Sequence, residues 1–131
     1  MTDFILPVTA VVTSFHVLLL IVLTFLVVHH RINNQVALGG GGIEALERAI
    51  RSHGNLAEFA PSAMILLGLL ELNGLPAWQL WTLGGLFTVA RLSHVHGMLK
   101  ASLATRSMGA MFSIILMAAM IGRLGTLALW G

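Results

Sequence analysis

The chain has 131 residues, 57% of them hydrophobic and only 9% charged, with a mean hydropathy of +0.93; a soluble domain of this size needs far more polar surface. Seven Lys and Arg stand against five Asp and Glu for a formal net charge of +2, scattered rather than clustered, which argues against nucleic acid as a partner. With no cysteine the chain forms no disulfide, thiolate nucleophile or thiolate metal site, so any thiol chemistry must use a substrate's sulfur.

A hydrocarbon core about 30 Å thick takes about 20 apolar residues per helix. The whole chain, 1–131, therefore reads as one all-α integral membrane domain, a bundle of four spanning helices. The first helix is expected over about 4–30, where the apolar run from Phe4 to Val28 is broken only by Pro7, a few hydroxyls and His16. It has no basic start and no small-residue cleavage site, so it reads as a retained span rather than a signal peptide. "HHRINNQVALGGGG" then marks a flexible glycine-rich loop over 31–43, because consecutive glycines sustain neither helix nor strand. The second helix is expected over 44–73, polar early and apolar late, and "NGLPA" is a turn that fits only a tight hairpin of spans. The third helix is placed at 77–99, "KASLATR" is a short polar connection, and the fourth helix takes 107–130, with Ser107 as its N-cap and Gly109 and Gly122 offering close backbone approach.

Arg31, Arg48, Arg51, Lys100 and Arg106 fall in or beside the two connections at one end of the bundle, whereas the other end has Arg123, Asp3 and Glu71. The positive-inside rule then predicts cytoplasmic basic loops and non-cytoplasmic termini, in a bacterial inner membrane. Trp78, Trp81 and Trp130 group at the opposite interface, where indole rings sit well.

The polar residues inside this greasy chain are the candidates for function. On the second helix Arg51, Asn55 and Glu58 follow i, i+4, i+7 spacing, with Arg48 beside them, and so share one face. A charge at the centre of a span costs about 2.5 to 3.5 kcal/mol on insertion scales, so Glu58 should face protein or a wet cavity. Pro61 lacks the N–H that would bond the Ala57 carbonyl, which predicts a kink and a freed acceptor near Glu58. Arg91, His94 and Met98 make a matching stripe on the third helix, and Arg91 is deep enough to need an anion, for which Glu58 is the candidate. Two readings follow. One is a structural ion-pair network joining helices two and three; the other is a small pocket with cationic and anionic walls for a zwitterionic ligand. His16 reads as a packing residue or a proton relay with Glu58 and Arg91. His29, His30, His94 and His96 lack a third ligand at usable spacing, so no metal site is expected.

The stretch "ERAIRSHGNLAEFAP" resembles the second-helix signature of the MAPEG family, the membrane-associated proteins in eicosanoid and glutathione metabolism. The likeness extends over almost the whole chain and is closest to the bacterial branch in which a glycine-containing loop precedes "RAIRxHxNxAEFxP" and "LLELxGxPAW". The resemblance implies a homotrimer in membrane lipid, with glutathione as co-substrate bound between subunits and a lipophilic electrophile as second substrate. It implies a glutathione-dependent transferase or peroxidase, with a non-catalytic membrane scaffold or accessory subunit as the alternative. By motif position it assigns glutathione binding to Arg31, Arg51, Asn55, Glu58, Arg91, His94 and Ser107, and thiol activation to Arg106. An arginine beside the sulfur favours thiolate, the nucleophilic form. The chain has no tyrosine, and Met98 stands where characterised members place one on the third helix.

Overall fold

The computed structural model describes residues 4–130, so Asp3 lies outside the described residues. Four helices run in antiparallel succession: α1 (Pro7–Asn34), α2 (Glu44–Leu72), α3 (Ala77–Leu99) and α4 (Leu103–Trp130). Three of them, α1, α2 and α4, are long and apolar enough to cross a membrane. The third, α3, carries Arg91, His94 and His96, and it lies against all three others. Among the described residues α2 and α3 form the central pair, and α1 and α4 flank it without touching each other. The outer faces of α1 and α4 consequently carry exposed Val, Leu, Ile and Phe side chains, as a protein solvated by lipid should.

Two helix starts and one helix end differ from the sequence expectation. α1 begins at Pro7 rather than at residue 4. Proline is preorganised for the first helical position, and the next two backbone N–H groups, of Val8 and Thr9, are accepted by Glu71 Oε1 at 2.9 Å and Oε2 at 2.8 Å. A carboxylate at the end of α2 thus caps the positive end of α1. α1 then continues past Arg31 to Asn34, where Gln35 turns left-handed and its neighbour Val36 donates back to the Arg31 carbonyl at 3.0 Å. The loop is shorter than expected and has a definite path, with Gly39, Gly41 and Gly42 at positive φ. α4 begins at Leu103, a full turn before Ser107. The Arg106 N–H already donates to the Ser102 carbonyl at 3.1 Å, so Ser107 lies inside the helix, exposed, and caps nothing.

α3 and α4 cross closely because two glycines allow it. A Cβ on Gly109 would fall 2.5 Å from the His94 nitrogen and 2.6 Å from the Ala90 carbonyl oxygen. A Cβ on Gly97 would overlap the Arg106 backbone nitrogen. Gly122, also expected at a close approach, has nothing within 4 Å. α2 stays helical through Pro61, and Ala57 and Pro61 both line an apolar cavity against α1.

Candidate functional site

Arg91 is the largest fully buried side chain, 1% exposed, yet no carboxylate pairs with it among the described residues. Its guanidinium is instead held by neutral acceptors. Nε donates to Ser113 Oγ at 2.8 Å, Nη1 to Asn55 Oδ1 at 2.8 Å and Nη2 to the Gly109 carbonyl at 3.3 Å. Phe59 and Phe87 cover it, with ring centroids 4.9 and 5.8 Å from the guanidinium carbon, so cation–π attraction adds to the hydrogen bonds. The expected Arg91–Glu58 ion pair is therefore absent: Glu58 is exposed, and the one ion pair among the described residues joins Arg48 to Glu44 one turn apart. No hydrogen bond links His16, Glu58 and Arg91 either. His16 is 2% exposed, rests against Phe87 and lies with Nδ1 2.8 Å from the Val12 carbonyl of its own helix.

The bond from Arg91 has a consequence at the surface. Because Asn55 Oδ1 accepts from Arg91, the Asn55 amide nitrogen is turned away with both N–H donors free. Asn55 lines a cavity of about 370 Å³ at the basic end of the bundle, walled by Glu44, Glu47, Arg48, Arg51, Asn55, His94, Met98 and Arg106. α2 supplies one wall through residues a turn or so apart, and the close α3–α4 crossing supplies the other.

His94 is fixed by that crossing. Its Nδ1 lies 3.0 Å from the Arg106 carbonyl oxygen. A carbonyl only accepts, so Nδ1 carries the proton and Nε2 keeps its lone pair. That Nε2 is buried and has no partner. The backbone of Arg106 thus sets the tautomer of the histidine with which its side chain shares the pocket.

Of the residues singled out in the sequence, the structure brings Arg51, Asn55, His94 and Arg106 into one pocket, and Arg91 supports it from beneath through Asn55. It does not bring Arg31, Glu58 or Ser107 there. Arg31 lies on the α1–α2 seam and donates to the Ala37 carbonyl at 2.8 Å, while Glu58 and Ser107 point outward from the single chain. Sequence reasoning missed Glu44 and Glu47, although they precede Arg51 at helical spacing on the same face of α2. It also missed Ser113 and the Gly109 carbonyl, whose role no charge or motif announces.

Fold and pocket together define a four-helix integral membrane protein with a mixed-charge pocket at one end of the bundle. The chain belongs to the MAPEG family, whose model matches residues 9–126. Over 90 residues it is 38% identical to the inner membrane protein YecN of Escherichia coli strain K12, a match covering 69% of each chain. The YecN of Escherichia coli O6:H1 strain CFT073 matches with the same identity and coverage.

Proposed function

We propose that the pocket binds glutathione and that the chain uses it to conjugate or reduce lipophilic electrophiles. The observation that carries this is the charge inventory. Once Arg48 is paired with Glu44, the pocket keeps two guanidiniums, Arg51 and Arg106, one carboxylate, Glu47, and the free amide donors of Asn55. Glutathione at neutral pH offers the complement, two carboxylates, one ammonium and peptide carbonyls. In this reading Arg51 and Asn55 hold carboxylate and carbonyl oxygens and Glu47 holds the ammonium group. On binding, the thiol displaces the side chains that bury His94 Nε2 and gives that nitrogen its proton, and Arg106 stabilises the thiolate that results. The thiolate then forms a C–S bond to the electrophile, and the proton returns from His94 to the product or leaving group. Reduction of a hydroperoxide instead consumes two thiols and yields disulfide, alcohol and water. A histidine base removes the need for a tyrosine hydroxyl beside the sulfur.

The assembly in this reading is a homotrimer in a bacterial inner membrane, with the basic loops in the cytoplasm. Support comes from Glu58, exposed on an apolar stretch of a spanning helix, a position that lipid disfavours and a neighbouring copy would shelter. The basic residues gathered at one end support the orientation. In the scaffold alternative Arg51, Asn55, Glu58 and Arg91 serve assembly alone; Arg91 does bond Asn55 across α3 and α2, but Glu58 takes no part in that contact. Calorimetric titration of the purified protein with glutathione tests the proposal: saturable binding is expected, and no heat at millimolar glutathione with the assembly intact would overturn it.

A further inference from the structure

The α3–α4 half of the molecule has cations without anions. From Leu72 to Gly131 the sequence holds no Asp or Glu, yet Arg91, Lys100, Arg106 and Arg123 all fall there. Arg91 is satisfied by neutral acceptors, and Arg106 lines the polar pocket. Lys100 closes α3 exposed and with no carboxylate paired to it, and His96, also exposed, stands one turn before it. An anion for this pair has to come from outside that half of the chain. Below them a single cavity of about 500 Å³ opens between α3 and α4 and is lined by those two helices alone. Ala90, Ser93 and Gly109 form its floor, and exposed Val89, Met108 and Phe112 form its walls. Ser93 is the one polar side chain in the lining, and its hydroxyl donates to the Thr105 carbonyl at 3.1 Å. The slot therefore presents hydrocarbon and no free donor.

Register connects the cations to the slot. Leu86 and Ser93, both in the lining, and Lys100 are seven residues apart, nearly two turns, and so lie along one face of α3; Val89 and His96 repeat that interval beside them. The rise from Leu86 is about 15 Å to His96 and about 21 Å to Lys100 at 1.5 Å per residue. Half a bilayer is about 15 Å of hydrocarbon, or about 20 to 22 Å with its headgroup layer. A lipid whose phosphate lies between His96 and Lys100 thus lays an acyl chain down the slot as far as Leu86. The width excludes a protein element. A helix with its side chains is about 10 to 12 Å across and cannot enter between two helices whose backbones meet at Gly109, whereas a single polymethylene chain can. Because the walls are exposed, the chain enters from the side while its headgroup stays at the membrane surface.

We propose that the α3–α4 slot binds an anionic phospholipid, its phosphate on Lys100 and His96 and one acyl chain over Ala90 and Gly109. The site shares no lining residue with the polar pocket and stands whether or not that pocket takes glutathione.

Photo-crosslinking in nanodiscs tests the proposal, using phosphatidylglycerol or phosphatidylcholine with a diazirine at mid-chain and mass spectrometry to map the labelled residues. Phosphatidylglycerol should label the slot at least about fivefold more than phosphatidylcholine. Lys100→Gln with His96→Gln should bring the two lipids to parity, and Arg123→Gln, at the other end of the bundle, should leave the preference intact. Val89→Trp narrows the slot from an exposed wall with the headgroup site unchanged, and it should lower slot labelling by phosphatidylglycerol several-fold. Excess palmitate should not displace the phospholipid. Equal labelling by the two headgroups, indifference to the Lys100/His96 pair or to Val89→Trp, or labelling no stronger in the slot than on other exposed apolar residues would each overturn the proposal. Displacement by palmitate would overturn it in favour of a free fatty acid, and protection of the slot from both lipids would overturn it in favour of a second copy of the chain.

Discussion

Asn55→Asp separates what Asn55 does for the fold from what it does for a ligand. A carboxylate is nearly isosteric with the amide, and it would replace an acceptor that already lies 2.8 Å from Arg91 Nη1. Arg91 is buried without an anion, so the new ion pair neutralises a charge that the fold now holds with neutral acceptors alone. Partial burial takes back much of the Coulomb gain, and the net change is about 0 to 2 kcal/mol in favour of the folded state. Toward the pocket the effect has the opposite sign. The two amide donors disappear, and a negative charge about 6 Å from a bound carboxylate repels it by about 3 kcal/mol at an effective dielectric constant of ~20. Glutathione affinity should fall about a hundredfold while the protein unfolds at the same temperature or higher. Circular dichroism during heating reads the first quantity and calorimetry the second. A marked loss of stability would refute the Arg91–Asn55 contact, and unchanged affinity would refute the assignment of Asn55 to the ligand wall.

Three further predictions follow from single contacts. Glu71→Gln replaces a carboxylate that accepts from both Val8 and Thr9 with an amide that can accept through only one oxygen. It should lower stability by about 2 kcal/mol in denaturant unfolding, whereas Asn73→Ala nearby should change it far less. Gly109→Ala forces a methyl group onto the backbone of α3 and should cost about 1 to 3 kcal/mol by overpacking; Gly122→Ala, with open space around it, should be neutral or stabilising by up to about 1 kcal/mol. His94→Gln keeps a side chain able to hydrogen-bond the Arg106 carbonyl but removes the proton acceptor. It should lower kcat for conjugation about a hundredfold and abolish the fall in rate at acid pH that protonation of the base causes, while changing glutathione affinity little.

Much of this was legible from residues alone, for reasons that also explain the failures. Hydrophobic run length located four helices, and i, i+4 spacing placed Arg51 and Asn55 on one face, because both signals are internal to a helix. The relative rotation of two helices is not internal to either. Glu58 shares the stripe of Asn55 within α2, but that face turns past Arg91 toward the outside, so the expected ion pair does not form. The partners that Arg91 does use, Ser113 and a carbonyl at Gly109, become available only because the glycine lets α4 approach α3. Polar residues misled twice at helix ends: Arg31 and Arg106 both lie within helices, since solvent-facing first and last turns tolerate charge as readily as loops do. Glu71 counted only as an acid near one end, and its capping of a helix more than sixty residues earlier in the chain is a tertiary contact.

In the proposed chemistry His94 Nε2 accepts the thiol proton, and the direct measurement is ¹⁵N NMR of the ring-labelled protein in nanodiscs as glutathione is added. The reading predicts that His94 begins as the Nδ1–H tautomer with a bare Nε2, becomes doubly protonated as glutathione saturates the pocket, and stays neutral with S-methylglutathione, which binds without a proton to give. A His94 that remains unprotonated at Nε2 in saturating glutathione would contradict it.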